Sequence, residues 1–516
     1  MHFAYQVLLC KTCLKERRLN MRLGGIFMHM IFINPPFKAE YGKFSRESRS
    51  PAITKSGALY YPLWLIYAAA YSKKCGHTVE FIDAPAKPLN EGETLSAVEK
   101  LASAKEKVLF VLDTSTPSIK SDVSFGAKLK ELYASSFVLL VGTHPTATAE
   151  ETLSFSDKIN AVAIGEYDYI VRELADAFDA GKPLSEARGL CYRDGADFVR
   201  TPPMPPIENM DDIPFAAEFI KEYLSERDYF FAAATYPSIQ IFTGRGCPCR
   251  CNFCVYPQTM HGHKYRARSP ENVVSEFEYI AANFPDVKEV VIEDDTFTID
   301  KNRLSAICNL LIEKKLPKRL RWLCNARVNT LDLATMKLMK KAGCRLIIPG
   351  IESGSQQILD NIKKGTKIEQ YLPYVRNAKK AGLLIHACYM VGNQGETKET
   401  MQETLRLALR LNTDTAQFFP LIPYPGTEAY EYNKKMGYLT VSDYEHYCAE
   451  DGTHNTVLNL PNLSTQEMVD FCNYARKKYY LRAGYILHRL RVGLTNPDDL
   501  KRSVKAFGRL KKYLFK

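Results

Sequence analysis

Short, wholly apolar runs alternate along this chain with longer stretches in which apolar residues recur every three or four positions, the pattern of strands exchanging with helices. Met-Ile-Phe-Ile-Asn-Pro at 30–35 predicts a buried strand ending at Pro35-Pro36, because proline supplies no amide donor and forces the residue before it into extended backbone. A Gly-, Ser- and Arg-rich loop follows. Tyr61-Pro62-Leu-Trp64 through Tyr71 then predicts a helix with Pro62 in its first turn, stopped by Cys75-Gly76. Further apolar runs predict strands at 77–82, 107–112, 137–141 and 159–164. With helical spacing between them, they predict a parallel, doubly wound sheet over 30–179. Residues 180–237 read as a connector, with a hairpin signal at Tyr192-Arg-Asp-Gly195 and a Pro-rich run at 201–206. Alternation resumes at 238 with strands expected at 239–243, 288–293, 321–326, 345–351, 384–391 and 416–421. Six strand–helix units fit a partial (βα)6 barrel over 238–440 better than a flat sheet. Residues 441–516 predict a basic helical region, with Phe471, Tyr474, Tyr479 and Leu481 near helical spacing.

Composition narrows this picture. A chain of 516 residues exceeds one ordinary domain. Its 14 cysteines, four of them clustered and the rest scattered singly, form no disulfide framework and suit a reducing cytoplasm. No run approaches the roughly 18 apolar residues of a membrane span. In residues 1–29 the apolar run precedes the basic patch, the reverse of a signal peptide. Met21, Met28 and Met30 are alternative starts, and the expectation is a poorly defined extension. The formal charge of +11 is concentrated, since residues 474–516 carry thirteen Lys or Arg against two Asp. Such a tail packs on the barrel, contacts an anionic membrane inner face peripherally, or binds RNA. No recognisable RNA module accompanies it, so no stable nucleic-acid partner is expected.

The chemistry concentrates at Gly246-Cys-Pro-Cys-Arg-Cys-Asn-Phe-Cys254, four cysteines within eight positions. Read as C-x3-C-x2-C, Cys247, Cys251 and Cys254 leave a strand through a Gly-rich loop and bring three soft thiolates together. That donor set suits an iron–sulfur cluster or zinc. Structural zinc usually takes four protein ligands in two pairs, whereas three thiolates on a four-iron cluster leave one iron open. A small zinc knuckle remains the alternative. Cys249 is expected to point away. His261, His263, Arg266 and Arg268, after the cysteines, read as a solvated basic loop.

These residues resemble the signature of the radical S-adenosylmethionine (SAM) enzymes, C-x3-C-x-aromatic-C, with Phe253 at the aromatic place. The resemblance implies that Cys247, Cys251 and Cys254 hold a 4Fe-4S cluster whose open iron binds SAM, that the reduced cluster cleaves SAM to a 5'-deoxyadenosyl radical, and that an electron donor such as flavodoxin or ferredoxin supplies the electron. It also implies SAM contacts at the carboxyl ends of the barrel strands. Asp294 and Asp295 would take the ammonium, Glu352 and Ser353 the ribose, Arg327 a carboxylate, and Gly392 would let adenine approach. Internal pairing of Arg327, and helix capping by Gly395-Glu396-Thr397, are the plainer alternatives.

The first half, with Asp83, Ser115, Thr116, Gly142, Thr143, His144, Gly165 and Glu166 at predicted strand ends, resembles the Rossmann-like cobalamin-binding domain of one radical SAM class. The D-x-H-x-x-G motif is absent after the first strand, so no protein His is expected on cobalt there and His144 is expected to be a loop contact. No G-x-G-x-x-G stands there either, which argues against a dinucleotide. Another nucleotide, or none, is the remaining alternative. Asn34-Pro-Pro, the Tyr-Tyr-Pro-Leu-Trp helix, Tyr256-Pro-Gln-Thr259 and Glu293-Asp-Asp-Thr-Phe297 further resemble radical SAM proteins associated with hopanoid lipid biosynthesis. The expected activity is functionalisation of an unactivated carbon by methylation, rearrangement or cyclisation, on a small-molecule, lipid or isoprenoid-type substrate. A tRNA-modifying radical SAM enzyme and a non-catalytic cobalamin or iron–sulfur sensor are the rival readings.

Overall fold

The computed structural model describes residues 28–54, 57–103, 107–449, 455–487 and 489. The chain divides into two compact units, one made of residues up to 39 with 62–225, the other of 40–61 with residues from 226 onward. The N-terminal extension before Met28 and nearly all of the basic tail beyond Leu487 lie outside the described residues.

In the first unit, β1 (His29–Asn34) is the second strand of a seven-stranded sheet. The chain next contributes β2 (Lys43–Ser45) and β3 (Ala52–Thr54), a small antiparallel hairpin of the second unit, before returning. β4 (Thr78–Asp83), β5 (Val108–Thr114), β6 (Phe137–Gly142) and β7 (Ala161–Ala163) complete a parallel set ordered β4-β1-β5-β6-β7. Every residue of β5 is buried, as a strand covered on both faces must be. The helix Leu63–Lys74 buries ten consecutive residues, Leu63–Ser72, so it lies inside the unit and shows no polar face. The hairpin expected at Tyr192-Arg-Asp-Gly195 forms, within the sheet. β8 (Leu190–Asp194) and β9 (Asp197–Arg200) form a hairpin that adds antiparallel to β7, because buried Leu190 and Cys191 supply a partner for that short strand.

The second unit carries β10 (Ser238–Ile241), then β11 (Gly244–Arg245) and β12 (Arg266–Ala267), which pair with each other, and β13 (Glu289–Ile292), β14 (Arg321–Ala326), β15 (Cys344–Glu352), β16 (Leu384–Val391) and β17 (Thr415–Pro420). β10 and β13 to β17 form one parallel sheet in chain order, with a helix following each of β13 to β17, as the strand–helix periodicity predicts. Because side chains alternate along strands, Glu289, Val291 and Glu293 share one face. On that inner face Val291, Leu323 and Leu346 pack with Ala234, flanked by Phe231, Ile348 and Leu384. A buried ion pair of Arg345 with Glu289 closes the amino-terminal end.

The edge strand β17 is covered by the helix Thr465–Tyr480. Tyr480 Oη accepts from Ala416 N at 2.8 Å and donates to Ala416 O at 2.7 Å, while Arg476 Nη2 donates to Phe418 O at 2.8 Å. These side chains satisfy backbone groups that an exposed edge leaves open to another strand. Phe471 and Tyr479 are buried and Tyr474 and Leu481 exposed, so this helix packs on the sheet through one face. No described helix is long and apolar enough to cross a membrane.

Candidate active site

The cysteines lie on the loop closed by β11 and β12. Only glycine fits at Gly246, where φ is +87° and a Cβ would stand 2.2 Å from Lys264 O. Side chains then tie the loop's carbonyls down. Gln258 Nε2 donates to Cys251 O, Asn252 O and Cys254 O at 3.3, 3.1 and 2.9 Å. His263 Nδ1, at 3.0 Å from Cys247 O and 3.1 Å from Cys249 O, must carry its proton there, since carbonyls only accept. Cys251 is buried, and Cys247 and Cys254 keep partial exposure.

The neighbouring Cys247 side chain lowers the proton affinity of Cys249, with the Arg327, Lys364 and His263 charges adding to the effect. The segment that follows is not the solvated basic loop expected. His261, Arg266 and Arg268 are buried, Arg266 donates to His261 O at 3.0 Å, and Arg268 forms a buried ion pair with Glu276. Carbonyls and two carboxylates, Glu276 and Asp295, consume the charge that looked available.

The three acidic residues after β13 have three different environments. Glu293 faces inward, receiving Gln240 Nε2 at 3.0 Å and Asn325 Nδ2 at 3.4 Å, and burial raises its pKa. Asp294, expected to meet a ligand ammonium, is fully buried. Thr243 N and Thr243 Oγ1 both donate to it at 2.6 Å, so its carboxylate is committed to the backbone of the strand end. Asp295 accepts from Gly246 N at 3.0 Å and pairs with His261 Nδ1 at 2.7 Å. Burial alone would raise its pKa, but the His261 ring and the Arg49 charge hold it below the ordinary carboxylate range.

Arg49 comes from the segment 40–61, in which sequence reasoning found only a loop. It donates through Nη2 to Glu293 O at 3.3 Å and Asp294 O at 3.2 Å. The same segment brings Tyr61, whose N–H donates to Gln240 Oε1 at 2.8 Å, and Ser50, 3.1 Å from Tyr424 Oη. Tyr256 Oη donates to Glu47 O at 2.9 Å. Residues 40–61 therefore form a strap touching the cysteine loop, the ends of β10 and β13, and the loop after β17. Nothing local in the sequence signals this, because the partners lie 179 to 374 positions away.

Farther along the sheet, Glu352 holds φ +64° at the end of β15 and pairs with Lys364 Nζ at 2.7 Å. Lys364 also stands 5.9 Å from the Phe253 ring centroid. Arg327 donates to Lys364 O, an internal carbonyl in place of the carboxylate expected. Ser353 is fully buried, 3.2 Å from Thr404 Oγ1 and accepting from Ser355 N at 3.1 Å. A Cβ on Gly392 would lie 2.7 Å from Met468 Sδ, so packing of the C-terminal helix accounts for this glycine without an adenine. The capping alternative at 395–397 is what forms: Thr397 Oγ1 accepts from Thr400 N at 3.3 Å at the start of the helix Lys398–Leu411.

In the first unit, Asp83, Ser115, Thr116, Gly142, Thr143, His144, Gly165 and Glu166 all stand at the carboxyl edge of the parallel strands, where open α/β sheets take ligands. Several are engaged internally. Asn34 Nδ2 donates to Asp83 at 2.9 Å, and Ser115 Oγ is 2.9 Å from Ser118 Oγ, which donates to Asp122 at 2.6 Å. Thr116 Oγ1 lies 3.2 Å from His144 Nδ1, and burial drives the His144 ring down to about 3, leaving it neutral. A Cβ on Gly142 would meet Thr114 O at 2.4 Å, which explains that glycine by strand packing. Thr143 is half-buried and Glu166 buried, and around Gly165 the space is open.

Residues 241–408 match the model of the Radical SAM superfamily. The chain is 32% identical over 423 residues to an uncharacterized methyltransferase of Pyrococcus horikoshii, covering 82% of this chain and 88% of the relative. It is 30% identical over 396 residues to an anaerobic magnesium-protoporphyrin IX monomethyl ester cyclase of Rubrivivax gelatinosus, covering 75% and 68%. The fold matches the radical SAM methyltransferase TsrM of Kitasatospora setae, solved with cobalamin and a [4Fe-4S] cluster, at TM-score 0.61 and 16% identity over 80% of this chain and 76% of that one. The chain thus belongs to the Radical SAM superfamily, alongside these methyltransferase and cyclase relatives. It is an enzyme of that type.

Proposed function

We propose that Cys247, Cys251 and Cys254 hold a 4Fe-4S cluster at which SAM is reductively cleaved, and that the enzyme uses cobalamin to functionalise an unactivated carbon, foremost by C-methylation. The observation that carries this reading is the cysteine loop at the carboxyl end of a parallel sheet, its carbonyls held by Gln258 and His263 and its first glycine by Asp295. When bound, the cofactors supply a deoxyadenosyl radical, an electron route and a transferable methyl group.

The protein's own residues orient and exclude. The three thiolates fix the cluster, while Glu293, aimed inward by Gln240 and Asn325, is the better placed acceptor for the SAM ammonium than Asp294. Glu352 contributes the oxygen that Lys364 leaves over. The acceptor in this reading is a small-molecule, lipid or isoprenoid-type substrate. Flavodoxin or ferredoxin would deliver the electron. The similarity to a ring-closing relative keeps cyclisation as a second reading.

The test is anaerobic reconstitution with cobalamin, reduction in the presence of SAM, and mass analysis of products. Deoxyadenosine together with S-adenosylhomocysteine supports methylation, whereas deoxyadenosine alone supports cyclisation or rearrangement. Replacing Cys247, Cys251 and Cys254 by Ala should abolish both the cluster absorption and SAM cleavage. Cleavage that persists in the triple variant sinks the assignment.

A further inference from the structure

We infer that Arg49, delivered by the strap, is a positioning residue that fixes the cysteine loop and supplies the positive charge favouring reduction of the cluster; this rests on the cluster reading above. Three contacts carry it. Arg49 Nη2 donates to Glu293 O and Asp294 O, so the guanidinium is anchored at the end of β13. Its Nη1 lies 3.7 Å from Asp295 Oδ1, and the other oxygen of that carboxylate meets Gly246 N and His261 Nδ1, on either side of the cysteines. Its guanidinium carbon stands 5.6 Å from the ring centroid of Tyr256, two residues beyond Cys254, and Tyr256 is bonded back to the strap at Glu47 O. The positive charge is thereby held against the cysteine loop.

The electrostatic consequence has a definite sign. Taking up one electron makes a thiolate-bound cluster more negative, and a fixed cation nearby favours that state. Local charge is among the levers that set cluster potentials. The neighbouring carboxylates act in the opposite sense: Glu293 is held by amides and Asp295 is paired with His261. Arg49 is thus the cation that offsets them on the strap side.

The experiment is a potentiometric titration of the full-length, reconstituted chain followed by electron paramagnetic resonance, comparing wild type with Arg49→Gln and Arg49→Lys. Arg49→Gln should lower the reduced-to-oxidised ratio at a fixed potential about tenfold, ~59 mV for one electron. Arg49→Lys, which keeps the charge, should stay within about threefold of wild type by the same conversion. A wild-type chain with no reducible 4Fe-4S signal refutes the cluster reading itself. Equal potentials in wild type and Arg49→Gln, with the cluster present in both, overturn the inference alone. Should the Gln variant take up no iron, Arg49→His replaces it. Its potential should fall relative to wild type as rising pH discharges the imidazole, and a pH-independent difference overturns the proposal.

Discussion

Asp294 and Asp295 are adjacent and chemically identical, yet one supports the fold and the other the site. Asp294 takes two short hydrogen bonds from Thr243 with no exposure to solvent, so Asp294→Ala should cost about 3 kcal/mol, as buried bonds to a charged group do, read as a lower denaturant midpoint with unchanged slope. Asp295 joins Gly246 N to the His261 ring, so Asp295→Asn should keep the melting temperature nearly intact while the reconstituted chain loses iron faster to a chelator. Equal iron retention would show that the loop holds its shape without that carboxylate. The sequence could not separate these two residues, because strand alternation places Glu293 and Asp295 on one parity and leaves the turn after Ile292 undetermined. The cysteines were legible for the opposite reason: their spacing lies within one loop, and Gly246, Gln258 and His263, which shape its backbone, are nearby in the chain.

The strands were visible in the sequence because most centre on a short apolar run between turns, and the helix Leu63–Lys74 because its ends carry proline and glycine signals. The hairpin of β8 and β9 was harder to place, since most of its residues stay part-exposed and neither strand alternates cleanly. One element makes a pH prediction. Burial pushes the Glu396 carboxyl, just before the helix Lys398–Leu411, up to about 7 from an ordinary value near 4.5. The folded state therefore holds a proton that the unfolded chain releases. Stability from this group is complete below about pH 4.5 and is lost as pH rises to about 7, amounting to ~3 kcal/mol above that. Glu396→Gln should remove this slope and raise the melting temperature at pH 8 relative to wild type. Parallel wild-type and variant curves from pH 5 to pH 8 would show that the carboxyl ionises without cost.

At the scale of the whole molecule, chain order and structural membership disagree, and this limits what any contiguous piece can do. Residues 40–61 lie between β1 and the helix Leu63–Lys74, both in the first unit, yet they belong to the second. Leu59 bridges Phe230, the Tyr61 ring stacks on Tyr229 at 3.8 Å, and Arg49 reaches Asp295. A chain cut to residues 226–516 would carry all six strands of the second sheet and all four clustered cysteines, and would still lack the strap. Gln240 would lose the Tyr61 N–H, Tyr256 its carbonyl and Asp295 its guanidinium. Such a piece should melt below the full chain and be cut by protease within 244–268, where the full chain resists. Joining residues 40–61 ahead of Glu226 through a flexible Gly/Ser linker should restore most of that resistance, because the strap's partners are all retained. This comparison separates the strap's contribution from that of the first unit. Resistance already present in 226–516 alone would mean that the cysteine loop is held entirely by Gln258, His263 and Asp295, and that the strap covers it without supporting it.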